Sequence, residues 1–209
     1  LVKAHQREMK VIMDLVINHT SDEHEWFQKA LAGDKKYQDY YIFRKGKGDG
    51  IPPNNWTSVF SGSAWNYYPE LDEWAMHIFS SKQMDLNWDN PKVRENLIDM
   101  INWWLDKGLA GFRIDAIINI KKPLPFCDFP ADRTDGTCDM SVVVNHAKGV
   151  GEFLGEMRDE TFKKYNADYV DSKIPACDAA RQILDLNGLH DVQVVKIKGH
   201  LTDNYNPKT

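Results

Sequence analysis

Two short apolar runs, each ending abruptly in polar residues, constrain this chain more than any other feature. Val11, Ile12, Leu15, Val16 and Ile17 form a nearly continuous run that stops at Asn18-His19-Thr20. Ala110-Gly111-Phe112-Arg113-Ile114-Asp115-Ala116-Ile117 is the second, and it too carries charge at its end. Runs of this length suit strands buried on both faces of a parallel sheet. Between them, Asp89-Asn90-Pro91 offers a capping side chain and then Pro in the first turn, a good helix start. Val93, Leu97, Met100, Ile101, Trp104 and Leu105 follow at helical spacing, and Gly108 is placed to end that helix. Strand, helix and strand in this order predict α/β architecture with a parallel sheet.

The remaining segments are organised around that frame. Leu1–Lys10 reads as the tail of an amphipathic helix running into the first strand. It has none of the regions of a signal peptide, so the chain is expected to begin inside a domain. Ser21–Ala32 reads as a short helix with Trp26, Phe27 and Leu31 inward. From Gly33 to about Asn87 the texture changes. A glycine-rich loop at Lys45–Gly50 and a turn at Pro52–Asn55 are flanked by aromatic-rich short strands at Tyr40–Phe43, Trp65–Tyr68 and Trp74–Phe79. Residues 121–145 read as loop and Val150–Tyr165 as a helix. Beyond residue 166 only a helical piece near Ala179–Leu186 and a strand at Val192–Ile197 emerge.

Composition removes several functions. A formal net charge of −5 opposes nucleic-acid binding, which needs a basic face. No stretch approaches the roughly 20 apolar residues of a membrane span. Cys127, Cys138 and Cys177 form neither a disulfide framework nor a C-x-x-C metal spacing, and are expected to be reduced thiols in a cytoplasmic protein.

The chemistry lies at the strand ends. Arg113 and Asp115 are two apart and therefore project from one face of a strand. A carboxylate buried beside a guanidinium stays ionised, which suits a glycosidase nucleophile. The same pair serves equally as an ion pair closing a strand end. His19 and His24 offer a minimal metal pair, and Trp56, Trp65 and Trp74 are either sugar platforms or core.

Taken together, five segments resemble the α-amylase superfamily of glycoside hydrolases (family 13), in its oligo-1,6-glucosidase and α-glucosidase branch. They are Asp14–His19, Asn54-Asn55-Trp56, Gly62-Ser63-Ala64-Trp65, Gln83-Met84-Asp85-Leu86-Asn87 and Gly111–Asp115, in the family's order and at its intervals over roughly residues 1–165. The resemblance implies part of a (β/α)8 TIM barrel, with a small β-rich subdomain inserted after barrel strand three. Residues 1–32 would be barrel, 33–87 the insert, 88–166 barrel again, and 167–209 a divergent tail. It implies Asp115 as nucleophile and Arg113 as the residue holding that carboxylate charged. Asp14 and His19 would bind glucose hydroxyls, and Phe60, Phe79 and Gln83 would line the sugar pocket. The implied partners are α-linked glucose oligosaccharides, with no cofactor. Asn18 and Asp85 match positions linked to calcium in amylases, but no metal is expected in this branch.

Departures refine the expectation. Met84 stands where the signature has Pro, and Ile118-Asn119 where amylases show Lys-His, which argues against an endo-acting amylase. Ala116 replaces the Val that accompanies α-1,6 preference and points to α-1,4 substrates such as maltose. The general acid, expected after the helix at Gly151–Tyr165, is not found: Ser172 falls where Glu belongs, with Asp171 the neighbouring candidate. Three outcomes stay open: an α-glucosidase portion, a glucosyltransferase or sucrose isomerase, and a catalytically dead sugar-binding remnant.

Overall fold

The computed structural model describes residues 1–165, and Asp185 singly. Asp171, Ser172, Cys177 and the elements expected beyond residue 166 lie outside the described span.

A single turn, α1 (Val2–His5), leads into β1 (Ile12–Leu15) and then β2 (His19–Ser21). Helix α2 (Glu25–Leu31) begins only after His24, whose Nδ1 accepts from Trp26 N at 3.1 Å. The expected start at Ser21 is displaced because Ser21 pairs in a sheet instead. Phe27 and Ala30 are the residues α2 buries, while Trp26 and Leu31 are half-buried against the same core. After α3 (Lys35–Gln38) come β3 (Phe43–Arg44), β4 (Trp65–Tyr68), β5 (Glu73–Met76) and β6 (Gln83–Asp85).

Helix α4 (Pro91–Asp106) opens as its sequence predicts, with Asn90 Oδ1 accepting from Lys92 N at 2.9 Å and Pro91 in the first turn. Val93, Leu97 and Ile101 form its buried stripe, and Gly108 follows at φ +86°, a left-handed position. Next are β7 (Gly111–Ile114), a 3₁₀ turn at Ile117–Ile120, α5 (Met140–Val144) and α6 (Val150–Tyr165). Helix α5 falls in a stretch read as loop; Asp139 caps it, accepting from Ser141 N at 2.9 Å.

Strands β1 and β7 pair in parallel, with Asp14 opposite Arg113 and Leu15 opposite Ile114. Strands β2 and β6 pair antiparallel, as do β3, β5 and β4 in that order. The main core gathers Leu15, Ile17 and Phe27 with Met84, Leu86, Trp88, Val93, Leu97 and Met157. A second core holds Trp56, Trp65, Met76, Ile78 and Cys138 with α5.

One expectation is corrected. β1 is buried on one face only: Leu15 and Ile17 are 3% and 0% exposed, whereas Ile12 is 65% exposed and Val16 48%. The helices pack on the Leu15 face, and the opposite face, carrying Ile12, Asp14 and Val16, has no layer over it among the described residues.

Candidate active site

The open face of the parallel pair is where the polar side chains converge. Pairing in register sets Asp14 beside Arg113, and one residue past the end of β7 the backbone N–H of Asp115 still donates to Leu15 O at 3.2 Å. The Arg113 guanidinium bridges both carboxylates, with Nη1 3.1 Å from Asp14 Oδ1 and Nη2 3.0 Å from Asp115 Oδ1. Asp14 first, then Asp115, raise the Arg113 pKa above its ordinary value. These side chains are not buried, as the sequence reading expected, but 65%, 59% and 50% exposed for Asp14, Arg113 and Asp115. Exposure screens the pairs, so their geometry says more than their strength.

Ala116 turns the chain away at φ 48°, ψ 36°. A non-glycine residue there is uncommon, and the 3₁₀ turn at Ile117–Ile120 follows it directly. That turn presents the Asn119 carbonyl to Lys122 Nζ at 2.7 Å. Lys122 is 4% exposed and lies 2.8 Å from Asp85 Oδ2, whose side chain is wholly buried. Among the described residues Asp85 Oδ2 has no aligned hydrogen bond, so charge holds this pair, while Asp85 Oδ1 accepts from Ile78 N at 3.2 Å. Sequence reading did not single out Lys122. Its only signal is a second lysine in Lys121-Lys122, indistinguishable from a solvated charge.

Asp85 pairs in register with His19. Gln83 accepts from Ser80 N through Oε1 at 3.0 Å, which orients its amide so that Nε2 faces His19 Nε2 at 2.9 Å. The amide N–H can only donate, so His19 Nε2 accepts and the ring proton belongs on Nδ1. His19 Nδ1 and Asn18 Oδ1 are both buried without a partner among the described residues. Burial lowers the His19 pKa, opposed by Asp85 and Asp115 and reinforced by Lys122. The His19 and Phe79 ring centroids are 5.7 Å apart, and Phe79 and Phe60 5.8 Å. Phe60 is 64% exposed. The structure thus forms two linked groups, Asp14–Arg113–Asp115 and His19–Gln83–Phe79–Phe60. The Asp115 charge reaches His19, and Ala116 directly follows Asp115.

The family follows from comparison of the whole span. The model of the α-amylase catalytic domain matches residues 1–174. The chain belongs to this α-amylase family, in its oligo-1,6-glucosidase and α-glucosidase branch. It is 47% identical to the oligo-1,6-glucosidase of Parageobacillus thermoglucosidasius, a match covering 79% of this chain and 30% of that protein. The trehalose-6-phosphate hydrolase of Bacillus licheniformis superposes with a TM-score of 0.71 at 44% identity, over 79% of this chain and 29% of that one. The trehalulose synthase of Pseudomonas mesoacidophila superposes equally, at 0.71 and 39% identity, over 78% and 29%. The chain therefore spans under a third of the length of the relatives it matches, and its fold is part of the family's α/β (β/α)8 barrel. In such a barrel, the strand face opposite the helices looks inward, so the half-open face of β1 and β7 is a barrel interior face.

A second model, of neutral zinc metallopeptidases, matches residues 153–209. Phe153, Leu154 and Met157, the described start of that segment, pack into the main core of the amylase-like span. The segment's two histidines, His190 and His200, lack the i,i+4 spacing that sets two imidazoles on one helix face. These residues do not fit a zinc centre of that kind, and among the described residues no group of three His, Cys, Asp or Glu is placed to hold a metal. Cys127 and Cys138 are unbridged, and no described helix is long and apolar enough to cross a membrane.

Proposed function

We propose that this chain is part of a retaining, exo-acting α-glucosidase that hydrolyses short α-linked glucose oligosaccharides. The observation that carries the reading is the Arg113 bridge between Asp14 and Asp115 at the carboxyl ends of two parallel strands. In a barrel of this family that is where reacting groups sit. Asp115 is the nucleophile: its carboxylate attacks the anomeric carbon, the glycosidic C–O bond breaks, and water later cleaves the glucosyl ester. Arg113 keeps that carboxylate ionised and aimed. Asp14 and His19 hold hydroxyls of the terminal glucose, and Phe60, Phe79 and Gln83 wall the pocket. Residues 33–87 form the inserted β-rich subdomain that supplies this wall, between barrel portions 1–32 and 88–166. Three sparse cysteines with no disulfide framework favour a cytoplasmic enzyme.

The leaving oxygen needs a second carboxyl about 5–5.5 Å from the nucleophile. In sequence Ser172 stands where the family carries that Glu, and its neighbour Asp171 would face away from it on a strand, so the 209-residue chain by itself is read as a half-built site. Purified alone, it should release nitrophenol from p-nitrophenyl α-glucoside no faster than its Asp115→Asn variant. In a protein that joins this segment to the rest of the barrel, Asp115→Asn should cut turnover by more than about 10³-fold. Unchanged turnover there would overturn the nucleophile assignment. Similarity to a trehalulose synthase supports a second reading, in which the same glucosyl ester passes to a sugar acceptor. Product analysis with sucrose separates the two.

A further inference from the structure

A cavity of about 450 Å³ lies on the hairpin of β4 and β5, lined by neither Asp115 nor His19. Its volume falls in the range of about 300–1,000 Å³ typical of small-molecule sites. One wall is aromatic. Tyr67 and Trp74 are cross-strand partners with ring centroids 5.5 Å apart, and Tyr67 is 47% exposed. The other wall is the Lys45–Gly50 loop. Gly46 lies so close to Trp74 that a Cβ there would come within 2.6 Å of the indole Nε1, and only glycine lets backbone approach the ring edge this closely. Polar groups ring the mouth. Asp72 accepts from Tyr67 Oη at 2.8 Å and from Lys45 Nζ at 3.0 Å. Asp49, at the loop tip with φ 50°, has no hydrogen-bond or ion-pair partner among the described residues.

An aromatic wall facing a free carboxylate and an ammonium is chemistry suited to a pyranose. The C–H face of the sugar lies on the rings, and its hydroxyls exchange donors and acceptors with Asp49, Asp72 and Lys45. A wholly apolar ligand would leave Asp49 without a partner, and an anion would meet two carboxylates. We propose that this cavity is a second saccharide site, holding a stretch of an α-linked glucose oligosaccharide on the Tyr67–Trp74 platform, apart from the Asp115 site.

The test is titration of the intact 209-residue chain with maltotriose, followed by the indole N–H resonance of Trp74, assigned through Trp74→Phe. That resonance should shift and saturate in the millimolar range. Tyr67→Ser and Asp49→Ala should each weaken binding by about tenfold. Asp115→Asn and His19→Ala should leave the titration unchanged, which keeps this site separate from the proposed active site. Asp49→Ala changes only a loop tip, so it remains informative if Tyr67→Ser fails to fold, as circular dichroism would report. A Trp74 resonance that does not move, an affinity unchanged by Asp49→Ala, or a shift abolished by His19→Ala would each overturn the proposal.

Discussion

The buried ion pair of Lys122 and Asp85 is the residue-scale feature with the sharpest consequence. Taking two charges out of water is costly, and each is tolerated only through the other. Lys122→Met leaves Asp85 charged and alone, and should lower unfolding free energy by about 3–5 kcal/mol in urea melts. Adding Asp85→Leu should recover much of that loss, whereas a loss that simply adds would show the two side chains to be independent. His19 and His77 make a pH prediction, since burial lowers both pKa values below 6.5. The unfolded chain then binds protons more readily than the folded one. Their contribution is complete above about pH 6.5 and is lost as pH falls below it. Urea midpoints should therefore drop from pH 7.5 to 5.5, and less so in His77→Asn. Ala116 carries the specificity prediction. In the whole enzyme, Ala116→Val should shift preference from maltose toward isomaltose. Because a β-branched side chain resists the left-handed backbone found here, it should also cost about 1–3 kcal/mol of stability.

At the scale of elements, local signals and long-range pairing divide cleanly. The helix over Pro91–Asp106 is written in its own residues: a capping Asn90, a Pro in the first turn, an apolar stripe and a glycine beyond its end. Asn90→Ala should cost about 1 kcal/mol, read from the thermal midpoint, because Lys92 N–H loses its acceptor. The helix over Val150–Tyr165 is legible from its sequence too. Strands β2 and β6 were not, because His19-Thr20-Ser21 and Gln83-Met84-Asp85 show no alternation of apolar residues. Each is a strand only because the other lies opposite it, more than sixty residues away in the chain. Local propensity carries no trace of such a pairing. The extra turn α5 has a related cause: the second core draws Met140 and Val143 inward, and Asp139 caps them.

For the whole molecule, the open inner face of β1 and β7 dominates. Ile12 and Val16 lie exposed on it beside strand edges that are unpaired among the described residues, an arrangement that favours association. Ile12→Lys with Val16→Lys should reduce sedimentation of the isolated chain as aggregate. It should shift unfolding free energy by no more than about 0.5 kcal/mol, since neither side chain is in the core; a larger loss would show that the face is covered. The amino-acid order by itself determined the parallel α/β frame, the bounds of the two long helices at Pro91–Asp106 and Val150–Tyr165, and the shared face of Arg113 and Asp115. Those depend on periodicity, caps and a two-residue spacing, all of them local. Tertiary structure alone decided that Asp14 meets Arg113, that Lys122 meets Asp85, and that Gln83 directs the proton of His19. Each joins residues between 37 and 99 positions apart or sets an amide's orientation through a third group. No spacing rule reaches that far, because register and packing are settled by which faces the whole chain can bury together.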